Sequence, residues 1–147
     1  MSETPDLSLV EYRALAEFRF ELRRFLQFSE TAARETGLEP QQHQMLLTVM
    51  GLPAGAKPTI RELASRMLLK HHSAVELIDR LERRGAVARS SDPEDARAVL
   101  VNLTRSGEQL LRRLALAHRE ELETAGPALA RALGNVLRSV QRTGEAA

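Results

Sequence analysis

Basic side chains are concentrated in one short stretch of this 147-residue chain. Residues 57–73 contain four basic residues and one acidic residue, which are Lys57, Arg61, Arg66, Lys70 and Glu62. Four positive charges against one negative charge give +3, whereas the whole chain carries only +1. A local excess of this kind attracts the phosphates of nucleic acid. Since charges nearly balance from residue 74 to residue 97, we expect the positive field to be strongest around Lys70.

The residues after Lys70 have side chains that can read base edges. His71 and His72 can donate or accept hydrogen bonds, Ser73 can pair with several bases, and Glu76 can accept from cytosine N4. Ser73 and Glu76 also have the spacing of a helix capping box, so a purely structural role for the pair stays open. We expect one of His71 and His72 to contact a base or a phosphate.

A polar, turn-rich segment at residues 90–97 offers a second contact point. It ends in Arg97, which could enter a narrow minor groove, where negative potential is concentrated. Asp95 lies two residues earlier and could brace the Arg97 guanidinium through a charge-assisted hydrogen bond. The alternative is a solvated ion pair in a loop, which is usually worth under about 1 kcal/mol.

Other kinds of chemistry are poorly represented. The sequence has no cysteine, and the adjacent His71 and His72 would point about 100° apart on a helix, so a metal sensor is a weak alternative. There is no glycine-rich phosphate loop, His-Glu-x-x-His motif or nucleophile signature. We therefore predict neither an enzyme, nor a metal site, nor a cofactor.

The basic stretch falls on two predicted short helices. Thr59 and Glu62 form a capping box that begins the first helix. The second helix ends near Gly85, with Arg80, Arg83 and Arg84 on its later turns. Because only a few residues separate the two helices, their spacing is that of a helix-turn-helix motif. Short apolar runs at residues 86–89 and 98–103 then predict a β-hairpin around the polar loop, which is a wing.

Long helices flank this unit at about residues 7–36 and 105–142, and Gly126-Pro127 is expected to divide the second. All aromatic residues lie in the first, namely Tyr12, Phe18, Phe20, Phe25 and Phe28. The flanking helices have more apolar surface than the small unit can cover, which favours dimerisation through them. The phenylalanines could line a cleft for a small apolar or aromatic effector, or they could be core. The second interpretation is the simpler one.

The pieces of this pattern resemble the MarR family of transcriptional regulators. The matching motifs are LEPQQHQMLL at residues 38–47, LASRM at 63–67, LIDRLERRG at 77–85, DPEDAR at 92–97 and LTRSG at 103–107. The resemblance covers about half of the chain. Two departures are Lys70, where many members have serine, and Ala96, where many have arginine. The departure at Lys70, together with the run Ser73-Ala74-Val75-Glu76 that follows it, implies an unusual operator sequence.

The resemblance implies a mainly α fold with a small β-hairpin wing. It would form a single domain over residues 1–147, with a winged helix-turn-helix at about residues 38–107 and dimerisation helices at 7–36 and 105–142. It also implies a homodimer that binds double-stranded, pseudo-palindromic operator DNA, in most cases as a ligand-responsive repressor. The implied recognition-helix contacts are Lys70, His71, His72, Ser73, Glu76 and Arg80, with Arg61 and Arg84 on phosphates.

A rival interpretation is a winged-helix scaffold that binds other proteins instead of DNA. The near-neutral net charge and Glu76 in the second short helix favour it, whereas the basic stretch and the pair Asp95 and Arg97 argue against it. The chain lacks a long apolar run and its first residues do not have the pattern of a signal peptide. We therefore expect a cytoplasmic protein with no membrane partner.

Overall fold

The computed structural model describes residues 5–145 and the side chains of residues 5–140. Within that part of the chain the elements are α1 (Leu9–Glu35), α2 (Pro40–Met50), α3 (Ile60–Met67), α4 (His71–Arg83), β1 (Val87–Ser91), β2 (Val99–Leu103) and α5 (Arg105–Glu145). The predicted fold class, mainly helical with one hairpin, is confirmed. The chain divides into two compact units: a central unit from Glu30 to Leu116, and a terminal unit made of the residues before and after it.

The central unit has a well-formed hydrophobic core. Its fully buried large side chains are Leu38, Met45, Leu46, Leu63, Ile78, Leu81, Val87, Val101 and Leu114. They come from all the helices and both strands between residues 38 and 116, so each amphipathic element has its apolar side inward. Burial of each such side chain contributes about 1.5–3 kcal/mol relative to exposure, which makes this unit a stable platform.

Local signals set the bounds of the helix-turn-helix motif. The Thr59 hydroxyl accepts a hydrogen bond from the Glu62 backbone N–H at 3.2 Å, as the capping box predicts. Helix α3 ends at Met67, after which Leu68 adopts a left-handed conformation with φ of 55°. Lys70 caps the start of α4. Only three residues therefore separate the two helices, which confirms the predicted spacing.

The hairpin has a simple antiparallel register in which Val87 faces Leu103 and Ser91 faces Val99. The backbone ahead of α3 also contacts it: Thr59 forms a bridge with Leu100, and the Val101 N–H donates to the Pro58 carbonyl at 2.9 Å. The sequence did not predict this third segment, because two bonding residues are too few to produce a strand pattern. It attaches the start of α3 directly to β2.

Helix α5 does not end where the sequence predicted. It continues through Pro127 to Glu145, so the predicted break at Gly126-Pro127 is wrong. Proline lacks an N–H and leaves the Glu123 carbonyl without its helical donor, at a cost of about 3 kcal/mol. The continuous helix nevertheless keeps three apolar residues on one side, namely Leu129, Ala132 and Val136. They follow Pro127 at helical spacing and are half-buried or buried. A break would have dispersed this apolar stripe.

The start of α1 also differs slightly from the prediction. The Ser8 hydroxyl accepts from the Glu11 N–H at 3.3 Å, and the Glu11 carboxylate accepts from the Ser8 N–H at 2.6 Å. This reciprocal capping box begins the helix at Leu9, two residues after the predicted Leu7. At the other end, Gly37 has a φ of +81°, which only glycine adopts easily, and it ends the helix as predicted.

The terminal unit has little core of its own. Among its described residues, Ala132 is the single apolar residue that is buried, and many large apolar side chains are exposed. One cluster within it surrounds His118, whose ring lies edge-on to Phe25 and Phe28 and whose Nε2 is 2.7 Å from the Ser29 hydroxyl. No described helix combines the length and the apolarity needed to cross a membrane.

Candidate nucleic-acid interface

The start of α4 presents a group of polar side chains to solvent. Lys70, His71 and His72 are exposed, and none of their side chains hydrogen-bonds or ion-pairs with another described residue. The first turn of a helix also carries free backbone N–H groups and a partial positive charge. These features together make the start of α4 attractive to an anionic polymer.

The structure excludes one alternative for Ser73 and Glu76. Because Lys70 is the cap, Ser73 is the third residue of α4 and does not begin it, so the capping-box interpretation is wrong. Glu76 lies one turn further on and is exposed. With His72 and Arg80 it forms an exposed row at positions i, i+4 and i+8, opposite the buried Ala74, Leu77, Ile78 and Leu81.

Two of the four basic residues in the predicted patch are neutralised by ion pairs. Lys57 Nζ lies 2.9 Å from Asp92 Oδ2 and 2.6 Å from Glu94 Oε2, and Arg66 Nε lies 3.1 Å from Glu62 Oε1. The predicted local charge of +3 is therefore too high, since it ignored carboxylates from the hairpin loop. Arg61 and Lys70 remain exposed, with no ion pair among the described residues.

The hairpin loop carries Arg97 at its exposed end. The Asp95 carboxylate accepts from the Arg97 backbone N–H at 3.0 Å and does not contact its guanidinium, so the predicted side-chain bracing is wrong. This bond, together with that from the Ala98 N–H to the Asp95 carbonyl at 3.0 Å, fixes the backbone that presents Arg97. The guanidinium itself has no partner among the described residues and is accessible to a ligand.

Three arginines between residues 80 and 89 differ in whether their side chains have partners within the protein. Arg84 donates to the backbone carbonyls of Thr36, at 3.1 Å, and Gly37, where α1 ends. This is helix capping by a cation, so we leave Arg84 out of the DNA-contacting set, although the sequence placed it on a phosphate. Arg89 binds Asp79 and Glu82. Arg80, in contrast, is exposed and has no ion pair among the described residues.

Neither the metal-sensor nor the effector alternative gains support from the geometry. No three histidine or acidic side chains converge as metal ligands within the described part of the chain. Phe25 and Phe28 are half-buried against His118, and half-exposed Phe20 lies beneath Arg24, whose Cζ is 5.6 Å from the ring centroid. The predicted effector cleft stays a prediction.

The fold and this site define a class. Two short helices joined by a three-residue turn, followed by a hairpin with a free arginine at its loop, constitute a winged helix-turn-helix. Residues 36–98 match the sequence model of the MarR family. The chain belongs to the MarR family of transcriptional regulators.

Two relatives from one bacterium are also described as helix-turn-helix regulators. The uncharacterized HTH-type transcriptional regulator YkoM of Bacillus subtilis is 30% identical over 109 residues, which are 72% of this chain and 69% of that protein. The regulator YcgE of the same species, also uncharacterized, is 35% identical over 111 residues, covering 75% and 70% of the two chains.

Solved structures show the same fold at lower sequence identity. AbsC, a MarR family transcriptional regulator from Streptomyces coelicolor, superimposes with a TM-score of 0.73 at 19% identity and with 97% of each chain covered. A second MarR family regulator from that organism, solved in complex with DNA, has a TM-score of 0.71 at 21% identity. Its alignment covers 97% of this chain and 92% of that one.

Proposed function

We propose that this protein is a transcriptional regulator that binds double-stranded DNA sequence-specifically as a homodimer. The carrying observation is the distribution of free and ion-paired cations within residues 57–97. Arg61, Lys70 and Arg97 lack ion pairs among the described residues, whereas Lys57, Arg66 and Arg89 are neutralised. Within this stretch the free cations thus lie on the three elements that contact DNA in winged helix-turn-helix proteins: the start of the first short helix, the recognition helix and the wing.

In this proposal α4 is the recognition helix and enters the major groove. Lys70 and the first-turn histidines contact phosphates or bases, while Ser73, Glu76 and Arg80 follow along the groove. The spacing of His72, Glu76 and Arg80 supports this arrangement, because an exposed row along one side of a helix can meet successive base pairs. Arg61, in the first turn of α3, would bind a phosphate.

Arg97 would extend into the minor groove beside the half-site. An arginine is suited to a narrow groove because its weakly hydrated guanidinium is attracted by the concentrated negative potential. Two hydrogen bonds from backbone N–H groups already order the loop around it, so little backbone freedom of the loop remains to be lost on binding.

The homodimer is supported by the exposed apolar surface of the terminal unit. Leu133, Leu137 and Val140 on α5 and Leu9, Val10 and Tyr12 on α1 are all more than two-fifths exposed. Large apolar side chains exposed in such number are typical of an interaction surface. A twofold-symmetric partner would cover it and would place two recognition helices in successive major grooves.

Repression and release by a small apolar or aromatic effector are the finer parts of the proposal and rest on the family. Both are tested by transcription from the identified operator with and without added aromatic acids. The rival scaffold function has one observation in its favour, the exposed acidic Glu76 on α4. A scaffold would have no salt-dependent affinity for any duplex, whereas a regulator has it for all duplexes.

The wing assignment is tested by Arg97→Ala. We expect affinity for an A·T-rich duplex to fall about tenfold, because one arginine contact to DNA usually contributes about 1–3 kcal/mol. Fluorescence anisotropy measures the affinity, and a thermal melt verifies that the fold is unchanged. Arg89→Ala is not a suitable control, since Arg89 is ion-paired, but Arg119→Ala removes an exposed arginine outside the site and should have little effect. Equal affinities of the Arg97→Ala and parent proteins would exclude Arg97 from the interface.

A further inference from the structure

We propose that Lys57 is a positioning residue of the DNA-binding site, which holds the wing loop in the conformation that presents Arg97. The inference deepens the proposed function and rests on it. By charge and location Lys57 belongs to the predicted phosphate-binding patch. Its ammonium group is instead turned to two carboxylates of the wing loop, Asp92 at 2.9 Å and Glu94 at 2.6 Å. Its influence on DNA would therefore be exerted through the wing.

Asp92 makes this link stronger than an ordinary surface ion pair. Its side chain is only 4% exposed, and its two oxygens have different partners. One oxygen accepts from Lys57 and the other accepts from the Glu94 backbone N–H at 2.9 Å. A buried carboxylate is costly unless its charge is compensated, and Lys57 supplies the compensating cation. Loss of Lys57 would thus favour any loop conformation that returns Asp92 to water.

The loop connects Asp92 to Arg97 through consecutive short-range hydrogen bonds. The Asp95 N–H donates to the Asp92 carbonyl at 3.3 Å, and the Arg97 N–H donates to the Asp95 carboxylate at 3.0 Å. The loop closes through the bond from the Asp92 N–H to the Ala98 carbonyl at 3.3 Å. A displacement of Asp92 would therefore propagate to the backbone of Arg97.

The backbone beside Lys57, at the other end of this link, is also held in place by hydrogen bonds. The residues immediately after Lys57 contact β2, since the Pro58 carbonyl accepts from the Val101 N–H and Thr59 bridges to Leu100. Lys57 is consequently attached to the same hairpin whose loop it holds. The electrostatics agree with this geometry: the Lys57 ammonium lowers the pKa of Asp92, and the two carboxylates raise the pKa of Lys57.

The test is a comparison of Lys57→Met in two backgrounds, the parent protein and Arg97→Ala. Affinity for a labelled A·T-rich duplex is measured by anisotropy at one fixed salt concentration. We expect Lys57→Met to weaken binding about fivefold in the parent and to have almost no effect when Arg97 is absent, because coupled residues are non-additive. Lys57→Arg, which retains the charge, should restore most of the affinity.

Arg66→Met is the matched control. Arg66 is also an ion-paired cation of the basic stretch, but its partner Glu62 is on its own helix. Whatever its effect on affinity, we expect that effect to be the same in both backgrounds. Hydrogen exchange of the Glu94 and Arg97 amides gives a readout without DNA: Lys57→Met should lower their protection, and so should Asp92→Asn.

The outcomes separate the inference from the proposed function. Equal weakening by Lys57→Met in both backgrounds would show that Lys57 contacts phosphate directly and would overturn the inference, leaving the regulator intact. No weakening in either background would overturn it as well. If Arg97→Ala itself leaves the affinity unchanged, the wing assignment fails first and the positioning role fails with it.

Discussion

At the scale of single residues, the same basic side chain has different roles according to its neighbours. Lys57 and Lys70 lie at the two ends of the basic stretch, yet one is held by two carboxylates and the other is free among the described residues. Asp92 determines this difference, because its buried carboxylate requires a cation. Composition identifies the cations of a binding surface, but only the fold identifies which of them are available.

The lowered pKa of Asp92 has a consequence for stability. A carboxyl whose pKa is lower in the folded state than its ordinary 3.8 stabilises the fold above that value, and the contribution is lost as the pH falls through the folded-state pKa. We therefore expect Asp92→Asn to lower the free energy of unfolding at pH 7 and to have a diminishing effect below about pH 4.

Urea titrations of the parent and Asp92→Asn at neutral and acidic pH measure this difference. Asp6→Asn is the control, since Asp6 is exposed and its removal should change stability little at any pH. A constant difference between parent and Asp92→Asn down to the lowest accessible pH would contradict the assigned ion pair.

At the scale of elements, the sequence predicted what local chemistry determines. Thr59 at the start of α3, Gly37 after α1 and the apolar stripe of α4 gave the helix-turn-helix and its approximate bounds. The sequence predicted helix on both sides of Pro127 and missed only their continuity, because whether packing outweighs the local cost of proline depends on the fold. The wing strands were found, but the pairing of residues 58 and 59 with β2 depends on distant contacts.

The site residues likewise divide into those that local sequence predicts and those that only distant contacts determine. The exposure of Lys70, His71, His72 and Arg97 was predictable, because they are polar residues at helix and loop ends. The bond between Lys57 and Asp92 joins residues 35 positions apart, and Arg84 reaches carbonyls 47 and 48 positions away. No pattern in one sequence encodes such pairs, because they form only when the core brings the segments together.

A close contact between α5 and the hairpin provides a test at this scale. A Cβ at Gly107 would lie 2.0 Å from the Ala86 carbonyl oxygen, which also accepts from the Thr104 N–H. We expect Gly107→Ala to destabilise the fold by about 2 kcal/mol or more, since backbone must move to admit the methyl group. Chemical denaturation gives the free energy of unfolding.

Gly126→Ala is the matched control in the same helix. There the added Cβ would meet only the Leu122 side chain, at 3.8 Å, apart from its chain neighbours. Alanine has the higher helix propensity but is disfavoured in a helix directly before Pro127, so we expect stability to change by less than about 1 kcal/mol. If both alanine variants were equally stable, the close packing of α5 on the residue before β1 would be refuted.

At the scale of the whole molecule, the two units differ in how far they are self-sufficient. The central unit buries its own apolar residues, whereas the described part of the terminal unit leaves most of its large apolar side chains in water. This contrast is the physical argument for the proposed homodimer, because a second copy would offer the same surface. The dimer would in turn fix the spacing of the two recognition helices.

Leu137→Glu tests this arrangement. Leu137 is 56% exposed on α5, and a charge there would have to be buried in the proposed interface. We expect the variant to sediment as a monomer at concentrations at which the parent sediments as a dimer, and to lose tight DNA binding. Leu47→Glu, which alters an exposed leucine of the central unit, should remain dimeric. A monomeric parent protein would refute the dimer.

The most direct test of the central claim is selection from a library of random duplexes, followed by sequencing, at moderate and at high salt. The proposed regulator should enrich a palindrome whose half-sites are about one helical turn apart, with affinity that falls steeply as salt rises. The absence of both an enriched sequence and salt-sensitive binding would contradict the claim and favour the protein-binding scaffold.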